Sequence, residues 1–232
     1  MRGTPKAARA AAAAAAARLR SAAKNRKRQV WDADPWTQRA KQQGYLARSA
    51  FKLLEAQAKH RLIPRGGAVL DLGCAPGAWL QAACQTLGRR GGRVVGVHLQ
   101  EVAVPERFCD AERVAVLQAD AQDVAPEVLA ELAGTRDGRF DAVISDMSPA
   151  TSGAVARDVA LSLRCAEAAL GLTAPLLRPG GNFMAKLLQG AGVEEYMAAV
   201  KQRFLKAAVF HPKATRKGSH EVYVVGKGFS VH

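Results

Sequence analysis

The chain has 232 residues, 49% of them hydrophobic and 23% charged, and carries a formal net charge of +14. That size suits one domain with a substantial core, and the composition is ordinary for a globular protein. No apolar segment reads as long enough to span a bilayer, since arginines punctuate even the alanine tract.

The charge is uneven. Residues 1–31 hold nine Lys or Arg (Arg2, Lys6, Arg9, Arg18, Arg20, Lys24, Arg26, Lys27, Arg28) and no acid, so the remainder carries only +5. Such a segment is ordinarily a solvated charge run. It also suits a phosphate-binding arm or an Arg-rich, acid-free targeting peptide. Its alanine run favours helix but offers no stripe of large apolar side chains. Residues 1–30 are therefore expected to be a tail outside the fold, and 31–232 the domain. A mitochondrial address is the first expectation and a plastid one the second; in a bacterium the tail would be a cytoplasmic RNA-binding arm.

Next, DPWTQRAKQQGYLARSAFKLLEAQAKH predicts two helices. Asp34 is the expected N-cap with Pro35 at the first helical position, Gly44 breaks the run, and Ser49 is expected to cap the second helix. Pro64-Arg65-Gly66-Gly67 turns into the strand AVLDL. Strands follow at 92–99, 113–120 and 140–147, with a helix over 126–133. A long helix over 155–176 ends near Arg178-Pro179-Gly180-Gly181. A buried strand at 182–188, a helix at 192–206 and the strands AAVFHP and EVYVVGKGF complete the chain. Alternation at this spacing predicts an α/β fold: a mostly parallel seven-stranded sheet with helices on both faces. The last two strands, joined by the short basic loop KATRKGSH, are expected to form an antiparallel edge pair.

The four cysteines, Cys74, Cys84, Cys109 and Cys165, have neither CxxC spacing nor paired histidines. That argues against a metal site, and each is expected to be a small buried apolar residue in a reducing compartment. None follows a proline, as the nucleophile of a C5-pyrimidine methyltransferase commonly does.

In an open α/β sheet, ligands bind outside the carboxyl ends of the strands. Four polar features fall there: Asp71-Leu-Gly-Cys-Ala-Pro-Gly77, His98 to Glu101, Asp120, and Asp146-Met-Ser-Pro149. The first loop is neither a G-x-G-x-x-G dinucleotide turn nor a phosphate loop with Gly-Lys-Ser/Thr. It suits a nucleoside whose attached group is not a pyrophosphate. Lys186, inside the apolar run NFMAKLL, stands out because an unpaired buried lysine is costly.

Taken together, RSAFKLLE, VLDLGCAPGAWLQ, ISDMSP, RPGGNFMAKLLQG and HEVYVVGKGF resemble the FtsJ/RrmJ-type ribosomal RNA 2′-O-methyltransferases, which use S-adenosylmethionine on a Rossmann-like fold. The resemblance covers nearly everything from Asp34 to Phe229. It implies a catalytic tetrad of Lys52, Asp146, Lys186 and Glu221. A ribose hydroxyl is a weak acid, so methyl transfer to it benefits from a positioned base. Lys186 would be that base, the Lys52 ammonium would lower its proton affinity, Glu221 would hold Lys52, and Asp146 would orient the amine. Cofactor contacts are implied for Gly73, Pro76, Gly77, Ala78, Trp79, His98, Asp120 and Asp146, with Cys74 a small residue lining the pocket. His98 departs from the family, which has an acid there; neutral imidazole would accept one ribose hydrogen bond, with Glu101 a substitute acid.

Lys213, Arg216 and Lys217, with Arg39, Lys41 and Arg48, are expected to flank the site as a groove for an RNA backbone. The resemblance implies a uridine in the A loop of large-subunit ribosomal RNA within a ribosomal precursor or subunit, a monomer, and no membrane. The alternatives are 2′-O-methylation of tRNA or an mRNA cap, and a catalytically weak ribosome-assembly factor.

Overall fold

The computed structural model describes residues 34–89, 91–216 and 218–230. The tail expected over residues 1–30 and the basic residue Lys217 lie outside them. Two helices, α1 (Pro35–Gln43) and α2 (Ser49–His60), precede the sheet. Asp34 caps α1 by accepting from the Thr37 backbone N–H at 2.9 Å, and Gly44 closes it in the left-handed region at φ 78°. Ser49 does not cap α2. It is the first helical residue, and Arg48 at the cap position makes no side-chain capping bond to the helix.

The sheet is built from β1 (Ala68–Leu72), β2 (Arg93–His98), β3 (Val114–Gln118), β4 (Phe140–Ser145), β5 (Leu177–Leu188), β6 (Phe204–Phe210) and β7 (Glu221–Phe229). Its order is β3-β2-β1-β4-β5-β7-β6. The first five strands are parallel, and β7 runs antiparallel between β5 and β6. The strand order reverses between β1 and β4, and that switch point opens a crevice at the carboxyl ends.

Both faces are covered, as the consecutive buried residues of β1, β2 and β4 require. On one face α1, α2 and α3 (Ala78–Leu87) pack through Phe51, Leu53, Trp79 and Leu80. On the other lie α4 (Pro126–Leu132), α5 (Val155–Gly171), the single turn α6 (Thr173–Leu176) and α7 (Val193–Arg203), packing through Leu129, Ala166, Leu170, Tyr196 and Val200.

Three boundaries differ from the sequence reading. The helix expected over 155–176 breaks at Leu172 into α5 and α6, and the helix expected to 206 ends at Arg203. Arg178-Pro179-Gly180-Gly181, expected only as the stop after the first of these helices, lie inside β5, which starts at Leu177 and not at 182. Phe140 pairs Leu177 while Ala142 pairs Asn182, so these residues bulge out of the ladder. Arg178 fixes the bulge through Asp141 at 2.9 Å and Asp137 at 2.9 Å. By length and composition Val155–Leu176 is apolar enough to cross a membrane, contrary to the sequence reading. In this fold its inner face, including Val159, Ala166 and Leu170, is buried in the core.

Asp71 on β1 is fully buried, and neither carboxyl oxygen has a hydrogen-bond partner. Burial first, then the charge of Asp146 and the Cys84 thiol, push its carboxyl well above the ordinary 3.8. The native state therefore keeps a proton that the unfolded chain releases, so this group costs stability as pH rises above 3.8. Asp71→Asn should match the wild type in acid and exceed it in stability at neutral pH. Urea denaturation at both pH values measures this; equal stabilities at neutral pH would contradict a protonated Asp71.

Candidate active site

Four strand ends meet at the switch point and enclose a cavity of about 570 Å³. Gly73 follows β1, Val97 and His98 end β2, Ala119 and Asp120 follow β3, and Asp146 to Pro149 follow β4. Lys186 of β5 and Leu161, Arg164 and Cys165 of α5 complete the wall. Gly73 sits at φ 81°, and a Cβ there would lie 2.9 Å from the Met147 backbone. Only glycine lets these two loops approach so closely. Asp158 of α5 shapes the loop after Asp146 by accepting from the Ser152 and Gly153 N–H groups at 2.8 and 3.0 Å.

The sequence-predicted residues divide into three groups. Gly73, His98, Asp120 and Asp146 line the cavity together with Lys186, whereas Lys52 and Glu221 pair with each other outside its wall. Pro76, Gly77, Ala78 and Trp79 do not line it; they form the turn and first helical residues behind it. The space beside Gly77 is filled by Pro105 and Leu46. Trp79 is buried and donates its indole N–H to the Ser49 carbonyl at 2.8 Å, tying α3 to the start of α2. Cys74 and Glu101 are also absent from the wall. Cys74 is buried against Gly96 and Leu80, because its side chain follows the loop back into the core. Cys109 and Cys165 are only half-buried, and Cys165 faces the cavity.

At one end of the cavity lies a cluster of opposed charges. Lys186 Nζ is 2.9 Å from Asp146 Oδ1 and donates to the Asp146 carbonyl at 2.6 Å. Lys52 Nζ is 2.5 Å from Glu221 Oε1. Both lysines are buried, at 7% and 8% exposure, although a lysine is rarely so without a partner. Tyr223 joins the two pairs. Its hydroxyl donates to Asp146 Oδ1 at 2.8 Å, and its ring lies 5.7 Å from Lys52 Nζ. Burial raises the Asp146 carboxyl, but the Lys186 and Lys52 ammoniums and the hydrogen bonds from Lys186 and Tyr223 outweigh it and hold the group below 3.8.

Distant segments converge here for local reasons. Lys186 opposes Tyr223 across the β5–β7 ladder, and Glu221 lies two residues before Tyr223 on the same face. Lys52 is brought over them by α2. Glu55, one turn along, accepts from the Lys213 and Ala214 N–H groups at 2.7 and 3.2 Å and so anchors the loop that leads to Glu221. Sequence reasoning missed Tyr223, though its two-residue offset from Glu221 was a usable signal. It also missed Leu161, Arg164 and Cys165, for which helical amphipathicity gave none.

Of the expected RNA-groove residues, Arg39, Lys41, Lys213 and Arg216 are exposed. Arg48 is committed to Asp34 at 3.1 Å, and Arg39 lies over the Phe51 ring at 4.9 Å.

Comparison with known proteins places this geometry in context. The model of FtsJ-like methyltransferases matches residues 45–229. The chain is 40% identical over 204 residues to a ribosomal RNA large subunit methyltransferase E from Desulfatibacillum aliphaticivorans, covering 88% of this chain and 94% of the relative. It is 45% identical over 193 residues to the same-named protein of Syntrophobacter fumaroxidans, covering 83% and 94%. Among solved structures it resembles a ribosomal RNA methyltransferase from Plasmodium falciparum, with a TM-score of 0.68 at 20% identity over 80% of this chain and 98% of that one. At that identity the likeness is one of fold. These two relatives are bacterial and lend the mitochondrial reading of the tail no support.

The Tyr223 bond to Asp146 yields a direct test. Because the folded carboxyl is held below 3.8, Asp146 contributes stability above that value and loses it as pH falls through the folded pKa. Tyr223→Phe should move the Asp146 midpoint upward, visible by carboxyl-detected NMR titration, and cost about 1–3 kcal/mol in stability. An unmoved midpoint would show that the phenol does not act on Asp146.

Proposed function

Because the chain belongs to the FtsJ-like methyltransferase family, we propose that it methylates the ribose 2′-hydroxyl of a uridine in the A loop of large-subunit ribosomal RNA, with S-adenosylmethionine as donor. The observation that carries this reading is the cluster of Lys52, Glu221, Lys186 and Asp146 at one end of the cavity, with two buried ammoniums each held by a carboxylate.

The cavity suits the donor. Its volume is that of a small-ligand site, and the Gly73 turn lets backbone approach a nucleoside. His98 and Asp120 offer polar contacts away from the charge cluster, and the Asp146 carboxylate suits a neighbouring cation. When bound, S-adenosylmethionine supplies a methyl group activated on a sulfonium. The remaining chemistry belongs to the protein. Asp146 fixes the Lys186 side chain through two oxygens, so that its amine, once deprotonated, has a defined position from which to take the hydroxyl proton. Lys52, pinned by Glu221, keeps a positive charge beside the oxygen as it becomes anionic. Tyr223, itself fully buried, covers one side of the cluster and donates to Asp146.

Arg39, Lys41, Lys213 and Arg216 are exposed and suit the RNA backbone, whose phosphates would position the substrate without reading its bases. The basic residues of the tail suit an RNA-binding arm, each Lys or Arg being able to neutralise a phosphate.

Lys186→Ala should lower methyl transfer by about 10²-fold or more while leaving donor binding measurable by calorimetry. In cells lacking the protein, mapping of 2′-O-methylation should show one A-loop uridine unmodified, restored by wild type and not by Lys186→Ala. Loss at a tRNA or cap site instead would redirect the assignment. No transfer by the wild type despite RNA binding would make it an assembly factor.

A further inference from the structure

We propose that His98 meets the nucleoside as a hydrogen-bond donor, through Nε2–H, so that a ribose oxygen is recognised as an acceptor. The proposal rests on the reading that the cavity holds S-adenosylmethionine. It reverses the polarity expected from the sequence, in which imidazole would accept from a ribose hydroxyl.

The argument begins with how β2 ends. The His98 carbonyl accepts from the Ala119 N–H at 3.0 Å, and the Leu99 carbonyl from the Gln118 side chain at 3.2 Å, so both residues are fixed to β3 and its exit. His98 Nδ1 accepts from the Gln100 backbone N–H at 3.0 Å. That bond turns Nδ1 back onto the chain's own loop, and Nε2 is the ring nitrogen left for a ligand in the cavity that His98 lines. A neutral imidazole whose Nδ1 accepts must carry its proton on Nε2. With Nδ1 accepting, Nε2 donates.

A carboxylate in the same place would be an acceptor only. Glu101 does not supply one in its stead, being exposed and absent from the cavity wall. The acceptor beside His98 is Asp120, whose Oδ1 already accepts from the Gln122 N–H at 2.9 Å. The wall therefore presents a donor at the end of β2 and an acceptor after β3.

Two measurements test this. In the ligand-free protein, long-range ¹H–¹⁵N NMR of the imidazole should show the Nε2–H tautomer; an Nδ1–H tautomer would overturn the proposal without touching the cofactor reading. Calorimetry then compares S-adenosylhomocysteine, the demethylated donor, with its 2′-deoxy and 3′-deoxy analogues. One deoxy analogue should bind wild type about tenfold more weakly than the parent. That penalty should vanish in His98→Phe and persist in His98→Gln, whose amide can still donate. An equal penalty in wild type and His98→Phe would overturn the proposal. Failure of S-adenosylhomocysteine and S-adenosylmethionine to bind wild type at all would refute the cofactor reading and this contact with it.

Discussion

Two buried lysines, each paired with a partly buried carboxylate, set the terms for this structure. Removing such charges from solvent costs several kcal/mol each, and the cost is recovered only when partners are close and every remaining donor is used. Lys186 finds two oxygens of Asp146 and Lys52 one of Glu221, so each ammonium has a carboxylate close by. The four residues come from α2, β4's exit, β5 and β7, so the pairs exist only when helix, sheet order and antiparallel edge are all in place. Removing any one partner would strand a charge that the surrounding apolar packing cannot hydrate.

The sheet supplies the second requirement, a place where a ligand can reach those charges. Reversal of strand order between β1 and β4 parts the loops at their carboxyl ends, and glycine at position 73 lets the backbones on either side of the gap nearly touch. The antiparallel insertion of β7 between β5 and β6 then puts Tyr223 opposite Lys186. Without that insertion the Lys186–Asp146 pair would face solvent on one side.

Much of this was legible in the sequence because it depended on local pattern. Lys186 in an otherwise apolar strand announced a partnered charge. The seven strands followed from apolar runs and turn residues, and Asp34 and Gly44 marked the ends of α1. What escaped depended on side-chain direction. Cys74 sits in the glycine turn yet points into the core, and Trp79 in the same motif braces α2 instead of facing the cavity. Ser49 has the chemistry of a cap but lies one residue inside its helix. The wall contributed by Leu161, Arg164 and Cys165 depends on how α5 crosses β5, which no periodicity within the helix reports. For His98 the residue type was plain, and its polarity was decided by one backbone N–H two residues on.

Glu55 gives the arrangement a mechanical character. Its carboxylate grips the loop entering β7 from the same helix that carries Lys52, one turn away. One helix thus holds both the start of the exposed basic loop and one member of the charge cluster, so any shift of α2 moves the two together.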